Sequence, residues 1–297
     1  MSDEVRLSFK QSVWSNSGNE YQVLQQVGEG RNADAYLVLG TSGDLAGVPL
    51  VLKLFRRIAS VRSAQRFLEE TQFLKSCVHP SIMRVFDDGV YRTMYPFVII
   101  EYLPMTLRQA MSRSISTVEK LAYVLQLLSG LRYLQMRQPP VIHCDLKPEN
   151  VFIKGTSCVI GDFGLVRSDD GKLLTVDEEI PPIPRRYRTP DYVNFAKRIG
   201  KLTFKSDVFQ LGLVAAELFS GENPEKDADD KSSPVELKSI ARIAGQHGPL
   251  IATLIKLMLE MEAEKRLSAV ELLDRWRTPF IKVAELSHAV DERVFYS

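Results

Sequence analysis

The stretch from residue 143 to residue 164 limits the possible folds of this chain more than any other. It reads His-Cys-Asp-Leu-Lys-Pro-Glu-Asn and, after a short apolar run, Gly-Asp-Phe-Gly. The first motif holds Asp145, Lys147 and Asn150, and the second holds Asp162. Transfer of a phosphoryl group requires a carboxylate for the incoming hydroxyl, a cation beside the moving group, and oxygen ligands for Mg²⁺. The stretch contains all of these groups. Two such motifs at this spacing are a highly specific signal of phosphoryl transfer.

Composition and charge narrow the class of protein further. The 297 residues are 45% hydrophobic and 25% charged, which is typical of a soluble globular protein. The net charge of +1 gives no general attraction to nucleic acid or anionic lipid, so neither partner is expected. The three cysteines have no metal-binding spacing and indicate a reducing compartment, so a cytoplasmic location is expected. The most apolar window, residues 208–219, contains Gln210 and Glu217 and is too short to span a membrane.

Strand patterns dominate the first part of the chain. Residues 1–20 are polar and are expected to form a loose N-terminal extension. Residues 21–103 are expected to form a small β-rich lobe with one main helix at residues 60–77, where apolar side chains recur at helical spacing. Alternating apolar residues and intervening turn residues predict the strands 21–27, 35–39, 50–55, 83–86 and 97–101.

Helical patterns dominate after Leu103. Residues 104–280 are expected to form a larger helical lobe, and residues 281–297 a tail. The polar, Pro-rich segment 165–190 is expected at the surface. The predicted helices are 116–138 (behind a capping box), 204–220, 250–261 and 269–276, and the predicted short strands are 151–153 and 159–161. The fold class is therefore α+β, with two lobes and a cleft near Leu103.

Taken together, the motifs resemble those of the eukaryotic-type (Hanks-type) Ser/Thr protein kinases, over residues 21–280. The resemblance implies a bilobal protein kinase-like fold that transfers the γ-phosphoryl group of ATP to a Ser or Thr hydroxyl of a protein substrate. It implies that Asp145 accepts the proton of that hydroxyl and that Lys147 neutralises charge on the γ-phosphoryl group. Asn150 and Asp162 would hold Mg²⁺. A separate sensor or regulatory chain is also a possible partner.

Residues of the first lobe match the nucleotide-binding positions of this family. Lys53 would bind the α- and β-phosphates and would pair with Glu70. Gly28 and Gly30 would open a hairpin that covers the phosphates, although Ala33 replaces the family's third glycine. Adenine contacts are assigned to Ala35, Val51, Glu101, Leu103 and Phe152. The residues at 35 and 51 are exchanged relative to the usual Val and Ala, so we expect an intact pocket with a different shape.

Cys144 replaces the Arg that often precedes the catalytic Asp in this family. That Arg normally binds a phosphorylated activation loop. We therefore hypothesise that activity does not require phosphorylation of Ser168 or Thr175. An alternative is that Arg185 or Arg186 binds the phosphate.

Two alignments are possible for the end of the activation segment. In the first, residues 189–191 (Thr-Pro-Asp) stand for the family's Ala-Pro-Glu, and Asp191 pairs with Arg266 through a bridge expected to be strained or water-mediated. In the second, residues 194–196 stand there and supply no acid. The first is favoured because it gives Arg266 a partner.

Other acids of the second lobe also match family positions. Asp207 is expected to accept backbone N–H groups of the loop that carries Asp145. Glu149 and Glu217 lie where some kinases bind basic residues of a substrate, but both also occur as structural acids.

Two other functions remain as alternatives to an active protein kinase. Ala33, Cys144 and the unusual segment 181–187 are compatible with a pseudokinase that binds nucleotide and acts as a scaffold. A small-molecule kinase of similar fold is the other alternative. The full set of catalytic residues argues against the first, and the Leu-Lys-Pro-Glu sequence around Lys147 argues against the second.

Overall fold

The computed structural model describes residues 5–30, 33–55, 71–138, 140–163, 167–168, 184–228 and 230–295, with side chains described only as far as residue 286. The chain divides into two compact units, Met1–Leu103 and Pro104–Ser297. Across the described ranges we find no helix whose length and hydropathy would let it cross a membrane.

The first unit contains a six-stranded antiparallel sheet made of β1 (Ser12–Trp14), β2 (Glu20–Glu29), β3 (Ala33–Gly40), β4 (Pro49–Phe55), β5 (Val85–Tyr91) and β6 (Tyr95–Glu101). The strand order is β1-β2-β3-β4-β6-β5. The predicted strands are confirmed, although β5 starts later and runs further than expected. Of the predicted helix, residues 71–76 are described and are helical, and we call them α1.

Side chains alternate between the two faces of this sheet, because successive residues of a strand point in opposite directions. One face packs into a core of buried residues that includes Tyr36, Val38, Leu50, Leu52, Phe97 and Ile99. The other face carries Ala35, Val51 and Lys53, which are only half-buried. The apolar pattern thus leaves one face of β3 and β4 free of the core.

The expectation that residues 1–20 form a loose extension is wrong for the described residues. Val13 is buried in the core and its strand, β1, pairs with β2. Trp14, in contrast, is 59% exposed. The buried carboxylate of Asp87 accepts hydrogen bonds from Ser17 (2.9 Å) and Asn19 (3.0 Å). The polar composition of residues 1–20 did not predict that they pack on the sheet, because the carboxylate that accepts these hydrogen bonds, Asp87, lies much later in the chain.

The second unit is mainly helical, and the helix at residues 205–220 is almost fully buried within it. The helices are α2 (Leu107–Ala110), α3 (Thr117–Gln135), α4 (Pro190–Ala196), α5 (Lys205–Ser220), α6 (Gly248–Met258) and α7 (Ala269–Phe295). Two antiparallel strand pairs complete it, β7 (Val141–Ile142) with β10 (Arg167–Ser168), and β8 (Val151–Lys154) with β9 (Ser157–Ile160). The predicted helices are confirmed, whereas α2 and α4 were not predicted and α7 is longer than expected.

Local signals explain how α3 and α5 are placed. The predicted capping box is present, because the Ser116 hydroxyl accepts from the Glu119 N–H and the Glu119 carboxylate accepts from the Ser116 N–H. A Cβ at Gly212 would lie 2.9 Å from the Cβ of Met258, so a glycine there lets α5 pack closely against α6. Gly221, with φ of +86°, ends α5 in the left-handed conformation that glycine favours.

The prediction of a surface position for residues 165–190 is wrong at its C-terminal end. Tyr187, Arg188 and Thr189 are buried, and the Thr189 hydroxyl caps α4. The Arg188 guanidinium lies 2.7 Å from the Glu225 carboxylate, and both side chains are almost fully buried. The sequence does not predict this buried ion pair, because composition does not show which charged side chains have an oppositely charged partner inside the protein.

Candidate active site

The loop between β7 and β8 brings together two of the predicted catalytic residues, Asp145 and Lys147, and one predicted metal ligand, Asn150. The Asp145 carboxylate accepts a hydrogen bond from Lys147 Nζ at 2.7 Å and one from Asn150 Nδ2 at 2.9 Å. Both donors contact Oδ2 of Asp145, and the Asn150 amide also donates to the Asp145 carbonyl at 2.8 Å. The Asp145 side chain keeps 19% of its surface exposed, so a substrate group has access to it.

The predicted metal ligands present oxygen atoms, which are the donors that Mg²⁺ prefers. Both hydrogen bonds from the Asn150 amide nitrogen go to Asp145, which leaves the amide oxygen for a cation. Asp162 is exposed and has a left-handed backbone with φ of +59°. Within the described ranges no group of three or more His, Cys, Asp or Glu side chains forms a metal cluster. One carboxylate and one amide oxygen are ligands of the kind that Mg²⁺ takes together with phosphate and water, and their assignment to one metal site stays a prediction.

Phe163, the middle residue of the Asp-Phe-Gly motif, packs against the start of the catalytic loop. The rings of His143 and Phe163 contact edge to face with centroids 4.7 Å apart. His143 Nε2 lies 3.0 Å from the Gly161 carbonyl oxygen. These contacts anchor the backbone that leads into Asp162.

The prediction for Asp207 is confirmed. Its two carboxylate oxygens accept the backbone N–H groups of His143 (2.8 Å) and Cys144 (2.9 Å). Burial raises the pKa of this carboxyl group, and the two N–H donors oppose that rise. Cys144 has φ of +66°, which costs energy for a residue with a side chain. Asp207 therefore stabilises a strained backbone next to Asp145.

The role of Gln210 was not apparent from the sequence. Its Oε1 accepts the Leu146 N–H at 2.8 Å, and its Nε2 donates to the carbonyls of Cys144 (3.1 Å) and Tyr187 (3.0 Å). One buried amide thus holds the backbone on both sides of Asp145 and joins it to the segment that precedes α4. The available signal was a polar residue inside an otherwise apolar helix.

The alignment that ends the activation segment at Asp191 is supported by its expected ion pair. Asp191 Oδ2 lies 2.6 Å from the Arg266 guanidinium, whose side chain is fully buried. Arg266 also donates to the carbonyls of Lys205 and Glu260, both at 2.8 Å. The bridge is direct, so the expectation of a water-mediated contact is wrong.

Glu149 and Glu217 share one arginine that sequence analysis did not single out. Arg108 on α2 lies 2.7 Å from Glu149 and 2.5 Å from Glu217. It also donates to the Tyr187 hydroxyl at 2.5 Å, and that hydroxyl donates to Glu217. Burial lowers the pKa of the Arg108 guanidinium, but its acidic partners outweigh that effect and raise the pKa.

In the first unit, the predicted nucleotide-binding residues share the sheet face that is free of the core. Ala35 pairs with Gly28 on one side and with Lys53 on the other, and Val51 lies on the same face as Lys53. A Cβ at Gly30 would lie 2.8 Å from the Ala33 carbonyl oxygen, so the turn requires a glycine there.

The remaining nucleotide-binding assignments stay predictions. Glu70 lies outside the described residues, so its pairing with Lys53 stays a prediction. Glu101 ends β6 opposite Leu50, and Leu103 is the last residue of the first unit. In the second unit, Phe152 is half-buried on β8.

Comparisons with known proteins establish the family. The family profile described as "Protein kinase domain" matches residues 21–276, so the chain belongs to that family. The predictions of the family and of the α+β bilobal kinase fold class are confirmed.

Individual curated relatives are serine/threonine-protein kinases at modest identity. Wnk of Drosophila melanogaster is 28% identical over 88% of this chain and 11% of its own length. WNK of Caenorhabditis elegans is 29% identical over 72% of this chain and 12% of its own length. PrkC of Bacillus subtilis is 27% identical over 69% of this chain and 31% of its own length. The chain spans less than a third of each of these three relatives.

Proposed function

We propose that this chain is a Mg²⁺- and ATP-dependent protein kinase that phosphorylates Ser or Thr residues of a protein substrate. The observation that carries the proposal is the cluster in which Lys147 and Asn150 both hold Oδ2 of Asp145. No donor among the described residues contacts Oδ1 of Asp145, so that atom is available to accept a proton. Family membership and the names of the relatives support the same function.

In the proposed reaction the substrate hydroxyl loses its proton to Oδ1 of Asp145 as its oxygen attacks the γ-phosphorus. The bond between that phosphorus and the β,γ-bridging oxygen breaks, and ADP leaves with the electron pair. Lys147 offsets the charge on the moving phosphoryl group. Asn150 and Asp162 would hold Mg²⁺, which supplies neutralising charge to the phosphates.

The nucleotide-binding part of the proposal rests on residues of the first unit. We assign phosphate contacts to Gly28, Gly30 and Lys53, with Glu70 as the partner of Lys53. Adenine contacts are assigned to Ala35, Val51, Glu101, Leu103 and Phe152. We also propose a cytoplasmic location, which three buried free thiols favour, and a separate regulatory chain as partner.

The test is transfer from labelled ATP in the presence of Mg²⁺, alone and with a generic protein substrate. We expect labelled protein with the wild-type chain and none with Asp162→Asn. Nucleotide binding without any transfer would instead favour the scaffold, and transfer only to small molecules would favour the small-molecule kinase.

We further propose that activity does not depend on phosphorylation of the activation segment. The buried Cys144 packs in an apolar cluster with Ile142, Tyr192 and Leu202. A neutral thiol in such surroundings has no charge with which to bind a phosphate.

Gln210 supplies a connection that needs no phosphate. Its amide nitrogen bonds the carbonyls of Cys144 and Tyr187, so the catalytic loop and the segment before α4 are tied together within the unmodified chain. In this proposal Gln210 is a positioning residue that acts through the backbone around Asp145.

Two variants with opposite expected results test this proposal. Ser168→Ala combined with Thr175→Ala is expected to keep kcat within about twofold of wild type, because no phosphate contact is lost. Gln210→Met fills the same space but removes three hydrogen bonds, and we expect kcat to fall about 10- to 100-fold. The KM for ATP should stay the same, because the hydrogen bonds of the Gln210 side chain to described residues go to the loop and to the segment before α4.

The control is Gln126→Met, since Gln126 also accepts a backbone N–H, from Cys158 at 2.8 Å, but outside the candidate site. All variants are assayed below their unfolding temperatures. Near-complete loss of activity in the double Ala variant, or wild-type kcat in Gln210→Met, would contradict the proposal.

A further inference from the structure

An open groove of about 520 Å³ lies in the second unit, between the segment that joins α2 to α3 and the C-terminal end of α5. Three basic side chains line it, those of Arg108, Arg113 and Lys120. Glu217 is the single acidic residue of the lining, and Phe219 contributes an apolar surface. The groove therefore carries an excess of positive charge.

The acidic groups of this region are already neutralised within the chain. Arg108 bonds both oxygens of Glu217, at 2.5 and 3.4 Å, and its Nε bonds Glu149 at 2.7 Å. The Tyr187 hydroxyl donates to Glu217 as well. A basic side chain from a substrate would have to displace Arg108 from two carboxylates at once, so the pair does not favour basic substrates.

The other two basic residues lack such partners. Among the residues that the structure describes, neither Arg113 nor Lys120 lies within ion-pair distance of a carboxylate. Lys120 is half-buried, its Nζ lies 5.9 Å from the centroid of the Phe219 ring, and its burial lowers the pKa of the ammonium group. A partly desolvated cation without a counter-charge gains from an anion that binds next to it.

The groove is connected to the catalytic loop through Arg108. Glu149, one of its partners, lies in the short helical turn Pro148–Asn150, beside the residue whose amide bonds the Asp145 carboxylate. A second partner, Tyr187, belongs to the segment that Gln210 ties to the same loop. Hydrogen bonds therefore link Arg108, which lines the groove, to the two segments that hold the backbone around Asp145, where the acceptor hydroxyl would lie.

We propose that this groove binds an acidic side chain, Asp or Glu, of the protein substrate, and that the enzyme discriminates against basic residues at the same position. The inference rests on the proposed function, because it names the substrate class for the same site. Arg113 and Lys120 are the residues that bind the acidic side chain. Arg108 pairs with Glu149 and Glu217 and so keeps these two acids from binding a basic residue.

The test measures phosphorylation rates on a peptide library in which one position at a time around the acceptor Ser is Glu, Asp, Lys, Ala or phosphoserine. The full chain is compared with Arg113→Ala/Lys120→Ala and with Arg108→Gln. For wild type we expect one position at which Glu is preferred over Lys by about 3- to 10-fold, the effect of one or two partly exposed ion pairs. The double variant should lose that ratio, and Arg108→Gln should shift it towards Lys because Glu149 and Glu217 lose their partner.

The control is Arg242→Ala/Lys256→Ala, which removes one Arg and one Lys from exposed positions that do not line the groove. Its Glu-to-Lys ratio should match that of wild type. Equal ratios in wild type and Arg113→Ala/Lys120→Ala, a wild-type preference for Lys, or a response to phosphoserine alone would each overturn the inference. Failure of the proposed function looks different, because then no peptide is phosphorylated, including those that contain only Ala.

Anisotropy of a labelled Glu-containing peptide supplies a readout that does not require transfer. Weaker binding to the double variant than to wild type and to the control is the expected result. Equal binding to all three chains would contradict the groove as the site of the acidic side chain.

Discussion

Asp145→Asn is expected to lower kcat for phosphoryl transfer by about 10³-fold, the size of effect that a general base supplies. The asparagine amide has the same shape as the carboxylate, so Lys147 and Asn150 still find an oxygen to bond. An amide does not accept the substrate proton at neutral pH, however, so the step loses its base. We expect ATP to bind with unchanged affinity, because the proposed nucleotide contacts lie on other residues.

Two measurements separate loss of the base from loss of the fold. Single-turnover transfer from ATP gives the chemical step, and titration with a fluorescent ATP analogue gives binding. Asp274→Asn is the matched control, since Asp274 is an exposed acid on α7 whose ion pair among the described residues is with Arg277, at 2.9 Å. A transfer rate for Asp145→Asn within tenfold of wild type would mean that another group accepts the proton.

Asp191→Ala is expected to lower the free energy of unfolding by about 3–5 kcal/mol, the cost of leaving a buried charge without its partner. Arg266 is fully buried and its guanidinium lies 2.6 Å from the Asp191 carboxylate. The carbonyls of Lys205 and Glu260 remain as acceptors for Arg266 but bring no compensating charge. The variant also loses the acceptor of the Ser206 hydroxyl.

Chemical denaturation followed by circular dichroism gives this free energy, and Asp274→Ala is the control. Asp274 and Arg277 form the same kind of ion pair on the surface, so their loss should cost less than about 1 kcal/mol. If the two variants are equally stable, the buried pair contributes no more than an exposed one. That outcome would remove the reason for assigning Asp191 to the end of the activation segment.

Much of the candidate site was predictable because its residues are close in the chain. Asp145, Lys147 and Asn150 lie within one short loop, so their spacing already placed them side by side. The faces of β3 and β4 were predictable for a similar reason, since strand alternation assigns Val51 and Lys53 to one face. The Asp191–Arg266 pair was predictable only through a family alignment.

Other contacts were not predictable from the sequence, because the residues that form them are far apart in the chain. The polar composition of residues 1–20 predicts a loose segment, yet Ser17 and Asn19 donate hydrogen bonds to the buried Asp87. Arg188 seemed to lie in a surface segment, yet it is buried against Glu225. A polar residue has the same identity whether it is solvated or satisfied by a buried partner, so composition does not distinguish the two cases.

The order of residues was sufficient to assign the kinase family, the catalytic motif and the alternation of the sheet, because each depends on neighbours in the chain. Tertiary structure alone decided that Gln210 joins Cys144 to Tyr187 and that Arg108 masks Glu149 and Glu217. Those contacts arise because the packing of α2 and α5 brings side chains within hydrogen-bonding distance of backbone and acids that are remote in sequence. The proposed independence from phosphorylation and the proposed preference for acidic substrates both depend on these packed contacts.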